Sequence, residues 1–217
     1  MAAILFREET AVFRYRCNGV IISKKHILTT ATCIEDSLDS DIKVRVGSTY
    51  PFRRGLKHNV DSVRKHFKFS PDLQADIAVL KLSEPLEFSY RVDVVNLPKQ
   101  DALINIPNTS NKEIITNITF FTNYMLTRCS DSMELETTVG CNSLFKNKPP
   151  FKDMVTEDML CVVFLKDTSD RQPFDSLGAP LVINGTVHGL YSWARRDNLS
   201  VKIFTRVSAF SEWIQHI

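Results

Sequence analysis

Apolar residues along this 217-residue chain recur in short runs and never in long stretches. Segments that are β-branched or that alternate apolar with polar fall at residues 20–22, 26–30, 42–46, 77–82, 114–121, 160–164, 181–183, 187–193 and 201–207, with turn-forming residues between them. That pattern predicts an all-β body, a sandwich or barrel, because each run is the length of a strand with at least one buried face. Helical periodicity is confined to residues 209–216, so one short helix is expected at the C-terminus. Asn184-Gly185, between the runs 181–183 and 187–191, reads as a two-residue hairpin turn, since both residues accept positive φ. Residues 98–111 are polar and contain Pro98, Pro107 and several asparagines, which predicts a connection between two halves, about 1–98 and about 112–217.

The length suits one β unit or a pair of small barrels. A net charge of +2 supplies no whole-chain attraction for nucleic acid or a membrane surface. No apolar run approaches the roughly 18 residues of a membrane span. Arg7, Glu8 and Glu9 interrupt the apolar start, so no signal peptide is read at its head. No metal or cofactor is expected.

Several segments, in order, resemble the trypsin/chymotrypsin-like serine proteases. Residues 17–33, from Cys17-Asn18-Gly19 to Ala31-Thr32-Cys33, are similar to the family segment in which two half-cystines bracket an apolar strand and Ala-Ala-His precedes the second. Ala75-Asp76-Ile77-Ala78-Val79-Leu80-Lys81-Leu82 is similar to Asn-Asp-Ile-Ala-Leu-Leu-Lys-Leu, whose aspartate orients the catalytic histidine. Asp175-Ser176-Leu177-Gly178-Ala179-Pro180 resembles the nucleophile loop, Ser192-Trp193-Ala194 the substrate-binding strand, and residues 207–217 the C-terminal helix. The resemblance implies two antiparallel six-stranded β-barrels with a short C-terminal helix. Met1-Ala2-Ala3-Ile4 resembles an interior family stretch, so the family's first segment and its activating N-terminus are expected to lie outside this sequence.

In this alignment Asp76 keeps its triad position, while Thr32 and Leu177 stand where histidine and serine belong. Leucine has no nucleophilic atom, and a threonine hydroxyl does not accept a proton near neutral pH. A second register makes Ser176 the nucleophile at the cost of one extra residue after it. Both registers lack the base, because none of His26, His58, His66, His188 and His216 falls at its position. The expectation is an arthropod-type inactive homologue, not an enzyme. Its specificity pocket is degenerate too: Arg171 replaces the acidic residue of trypsins, and Lys202 replaces a glycine beside Ser192, Trp193 and Ala194. Lys202 either fills that pocket or is an ordinary solvated charge.

The resemblance also pairs Cys17 with Cys33 and Cys141 with Cys161 and leaves Cys129 to an absent segment, another chain or a free state. Asn-x-Ser/Thr triplets occur at Asn108, Asn117, Asn184 and Asn198; Asn184, Asn198 and Asn108 are candidate glycan sites, whereas Asn117 lies within a strand. With the disulfides they predict a secreted protein whose signal lies outside this sequence. A basic strip follows in a loop and the next strand: Arg53, Arg54, Lys57, His58, Arg64, Lys65, His66 and Lys68, opposed by Asp61 alone. A smaller group, Arg195, Arg196 and Lys202, falls beside the cleft. The function expected is binding of a protein partner, as cofactor, decoy or adaptor in a proteolytic cascade or for an immune or host component. The alternative is a sulfated glycan or acidic partner on the strip.

Overall fold

The computed structural model describes residues 1–9, 11–35, 37–70, 72–104, 113–121, 126–145, 153–164, 177–195 and 198–217, with backbone alone at 113–121, 127–132 and 198–199. Its first six strands are β1 (Ala2–Arg7), β2 (Phe13–Ile21), β3 (His26–Thr29), β4 (Ile42–Val46), β5 (Leu56–Lys65) and β6 (Ala78–Leu82). They close into a barrel in the order β1-β2-β3-β6-β5-β4. The next six are β7 (Glu113–Phe121), β8 (Leu126–Glu136), β9 (Met159–Phe164), β10 (Pro180–Ile183), β11 (Thr186–Arg195) and β12 (Asn198–Arg206). These close a second barrel in the order β10-β11-β12-β9-β8-β7. The two-barrel expectation holds, and every pairing between these strands is antiparallel. Closure leaves no unpaired sheet edge in either barrel.

Strand alternation distributes the apolar residues among five clusters. In the 77–82 run, Ala78, Leu80 and Leu82 enter the first barrel beside Ile4, Ile27, Ile42 and Val44. Ile77 and Val79 face outward, yet they are as buried, because with Leu28 they meet Leu190, Val207, Phe210 and Ile214 between the barrels. A strand covered on both faces reads as a continuous apolar run, which is why this segment was legible in sequence. The second barrel is filled by Met133, Val162, Phe164, Leu181, Tyr191 and Phe204.

Three local features differ from the sequence pattern. The C-terminal segment is a 3-10 turn, Val207–Phe210, running into the short helix α2 (Ser211–Gln215), with Ser211 Oγ donating to the Pro98 carbonyl at 2.8 Å. A further helix, α1 (Thr138–Phe145), has no counterpart in the periodicity. Its sequence of Thr, Val, Gly, Cys, Asn, Ser, Leu and Phe is poor in strong helix formers. Tertiary contacts hold it instead. Thr137 Oγ1 accepts from the Gly140 amide at 3.0 Å, Cys141 is bonded to Cys161, and Phe145 meets the Trp193 ring at 5.8 Å. The long β8, Leu-Thr-Arg-Cys-Ser-Asp-Ser-Met-Glu-Leu-Glu, is too polar to have been singled out and is fixed by pairing with β7 and β9. Asn184 and Gly185, at φ 50° and 77°, form the turn between β10 and β11. No helix among the described residues is long and apolar enough to cross a membrane.

Candidate functional site

Asp76 precedes β6 and is buried where the two barrels meet, at 1% exposure. The Thr32 amide, on a 3-10 turn over Thr32–Ile34, donates to its Oδ1 at 2.7 Å, and the Ser192 hydroxyl of β11 donates to its Oδ2 at 2.5 Å. The Thr205 hydroxyl of β12 donates to the Asp76 carbonyl at 2.8 Å. One aspartate thereby ties a turn of the first barrel to two strands of the second. Burial pushes its pKa above the ordinary value, and the donations from Ser192, Thr32 and the Ala31 amide only partly offset that. Among the described residues no histidine reaches the carboxylate. His26 is bonded to Ser23, His216 to the Glu212 carbonyl, and the Nδ1 of His66 accepts from the Lys68 amide.

Leu177 lies on the same inter-barrel seam. Its carbonyl accepts from the Asn18 amide at 2.8 Å and from the Asn18 side-chain amide at 3.4 Å. Its half-buried side chain packs against the first-barrel cluster that contains Ala31 and Cys33. Gly178 follows at φ +73°, and a Cβ there would approach the Asn18 carbonyl to 2.2 Å and Thr29 Oγ1 to 2.7 Å. Glycine is therefore required for the chain to cross at this distance. Paired bonds between Gly178 and Tyr191 and between Tyr191 and Ala179, both 2.8 Å, carry the crossing into β10. Asn18 and Ser192 are the residues that sequence reasoning did not recognise as site supports. Arg171 and Ser176 lie outside the described residues.

Around the pocket-wall segment, Ser192 is committed to Asp76, Trp193 is buried against Phe145, and Ala194 stands opposite Lys202 across the β11–β12 pair. Lys202 is only 5% exposed, with its Nζ 4.5 Å from the centre of the Phe164 ring. This overturns the solvated-charge reading: on β12, Lys202 shares the inward parity of Phe204 and faces Val162 across the strand pair. Arg195 is buried as well, its guanidinium 5.6 Å over the Phe145 ring. The second basic group is thus not an exposed patch; Arg196 lies outside the described residues.

The basic strip is also corrected. His66 is buried, with Phe210 and Trp213 each at 5.0 Å, and desolvation and Lys68 push its pKa down while Asp158 pulls it up. The six lysines and arginines are exposed but form two groups, Arg53, Arg54 and Lys57 at the start of β5 and Arg64, Lys65 and Lys68 at its end. Asp61 between them pairs with Lys81 at 3.5 Å. The disulfides Cys17–Cys33 and Cys141–Cys161 are formed. Asn184 is exposed in its turn, whereas Asn108 and the side chains of Asn117, Asn198 and Cys129 lie outside the described set.

A family model described as Trypsin matches residues 1–214. Duodenase-1 of Bos taurus is 26% identical, with 99% of this chain and 82% of that protein covered. Anionic trypsin of Canis lupus familiaris is 30% identical over 92% of this chain and 78% of its own. Among solved structures, scabies mite inactivated protease paralogue S-D1 superposes with a TM-score of 0.80 at 19% identity, over 99% of this chain and 90% of that one. At that identity the superposition speaks for the fold alone.

Proposed function

Because the chain belongs to the trypsin family, we propose that it is a member that binds other proteins rather than cutting them. The observation that carries this reading is that among the described residues no histidine reaches Asp76. In a Ser-His-Asp triad the carboxylate holds an imidazole that takes the nucleophile's proton. Here Asp76 receives a backbone amide from Thr32 and a hydroxyl from Ser192. In this reading Thr32 and Leu177 occupy the base and nucleophile positions, and neither side chain performs those steps. In the same alignment Arg171 and Lys202 stand where trypsins have the pocket's acidic residue and a glycine, which gives a cationic substrate side chain nothing to pair with. The binding surface proposed is the pair of loops that carry Leu38 and Phe67. Leu38 and Phe67 are 71% and 79% exposed on loops joined by the bond from Lys65 Nζ to the Glu35 carbonyl. Exposed apolar side chains suit a protein partner, which the chain engages as cofactor, decoy or adaptor. The two disulfides favour an extracellular setting.

Labelling with a fluorophosphonate, which reports an activated serine, together with hydrolysis of peptide esters, tests the reading. Neither is expected from the natural protein, nor from Leu177→Ser, since an unassisted hydroxyl is a poor nucleophile. Thr32→His with Leu177→Ser should recover little. Labelling of the natural protein at any serine of the cleft overturns the proposal.

A further inference from the structure

On β4, Ile42, Val44 and Val46 point into the first barrel, which leaves Lys43 and Arg45 on its outer face. Lys43 is used there, its ammonium 4.7 Å from the centre of the Phe13 ring. Arg45 has no such partner. It is flanked in register by Ala3 of β1 on one side and by Lys57 of β5 on the other. It is 8% exposed beside the small Ala3 side chain. One guanidinium nitrogen donates to the Arg54 carbonyl, and its Nε is buried without an acceptor. Burial lowers its pKa from the usual arginine value. A buried charge with no counter-ion is costly, and a like charge directly opposite on the neighbouring strand adds to the cost.

The turn between β4 and β5 then gathers further cations above it. Ser48 Oγ donates to the Arg53 carbonyl at 2.6 Å and accepts from the Tyr50 amide at 2.9 Å. Arg53 and Arg54 lie 4.2 and 5.9 Å from the Tyr50 ring centre. Arg54 and Gly55 adopt φ values of 59° and 60° to close the turn, and a Cβ on Gly55 would come within 2.2 Å of the Val46 carbonyl. The turn is thus fixed by its own bonds. Among the described residues none of Arg45, Arg53, Arg54 and Lys57 is in an ion pair; at the far end of β5 Lys65 donates to the Glu35 carbonyl, and Asp61 between the two groups pairs with Lys81.

We infer that this turn binds sulfate ester groups of a sulfated polysaccharide, with Arg45 beneath and Arg53, Arg54 and Lys57 around the anion. Guanidinium groups are weakly hydrated and present paired donors to an oxyanion, so an arginine-rich site suits the weakly hydrated sulfate ester. The second cationic group lies roughly 23 Å further along β5 at strand rise, a span that an extended polyanion bridges and a single small anion does not. The inference holds whether or not the cleft is catalytically silent.

A heparin-derived tetrasaccharide, too short to reach both groups, is the probe, titrated by calorimetry at low ionic strength. Arg53→Ala/Arg54→Ala/Lys57→Ala should lose affinity roughly tenfold or more, the scale of lost charge-assisted hydrogen bonds. Arg64→Ala/Lys65→Ala/Lys68→Ala should lose less than about threefold, the scale of a screened field. All six residues are exposed, so both variants should fold. As a check that needs no substitution, the tetrasaccharide should shield Arg53 and Arg54 of the natural protein from arginine-specific modification and leave Arg64 reactive. Equal losses in the two variants, equal binding of a desulfated tetrasaccharide, uniform shielding, or no binding by the natural protein would each overturn the assignment.

Discussion

Asp76 and Arg45 are both charged side chains withdrawn from water in the same half of the molecule, and they are treated in opposite ways. Asp76 receives the Thr32 and Ala31 amides and the Ser192 hydroxyl. Arg45 finds one carbonyl, leaves Nε unbonded and faces Lys57. A buried charge whose donors all come from fixed elements belongs to the scaffold, whichever chemistry the cleft has kept. A buried charge left short of partners points to a ligand that completes it.

The largest test of that contrast is Asp76→Ala. It orphans the amide and hydroxyl donors at the seam and should destabilise by about 3 to 5 kcal/mol in urea unfolding. A loss below about 1 kcal/mol would show that the site is wetter than its burial suggests. Arg45→Met should act in the other direction, because it keeps the volume and removes the uncompensated charge; neutrality or a gain of about 1 kcal/mol is expected. A loss as large as that of Asp76→Ala would erase the distinction between the two sites.

The pH dependence of stability sharpens the comparison further. Burial raises the folded-state pKa of Asp76 above its ordinary value of about 3.9. The protonated form is then favoured by folding; its contribution is complete below about pH 4 and is lost as pH rises through the raised folded value. The stability of the natural protein relative to Asp76→Asn should fall as pH climbs from that point toward neutrality, read by thermal unfolding at matched ionic strength. A relative gain would mean that the three donors outweigh desolvation. The smallest effect is expected from sulfate. At equal ionic strength, sodium sulfate should raise the melting temperature of the natural protein more than that of Arg45→Met, since an ion that binds only the folded state stabilises it by mass action. Identical shifts would remove Arg45 from the anion site.

Much of the fold was legible because its signals are local. The 77–82 run declares a strand buried on both faces, and Asn184-Gly185 declares a turn through its tolerance of positive φ. The positions Thr32, Asp76 and Leu177 could be named from the segments around them. What escaped was whatever depends on neighbours remote in the chain. Helix α1 has weak propensity and is held by Cys161 and Trp193. Lys202 read either as pocket-filling or as solvated charge, and Arg195 as part of a basic group, yet the pairing of β11 with β12 and the aromatic rings of Phe164 and Phe145 bury both. His66 read as part of a basic strip, and Phe210 and Trp213 cover it.

The sequence by itself determined an all-β chain of two halves and the side chains offered at each cleft position, because strand period, turn chemistry and side-chain chemistry belong to a residue and its immediate neighbours. Only the tertiary structure decided how the charges are matched. Asn18 meets Leu177 across 159 positions and Ser192 meets Asp76 across 116. Arg45 is set between Ala3 and Lys57 by the closure of the first barrel. Whether a buried charge is satisfied depends on which distant donors and acceptors that closure brings within about 3 Å, and no local pattern encodes that distance.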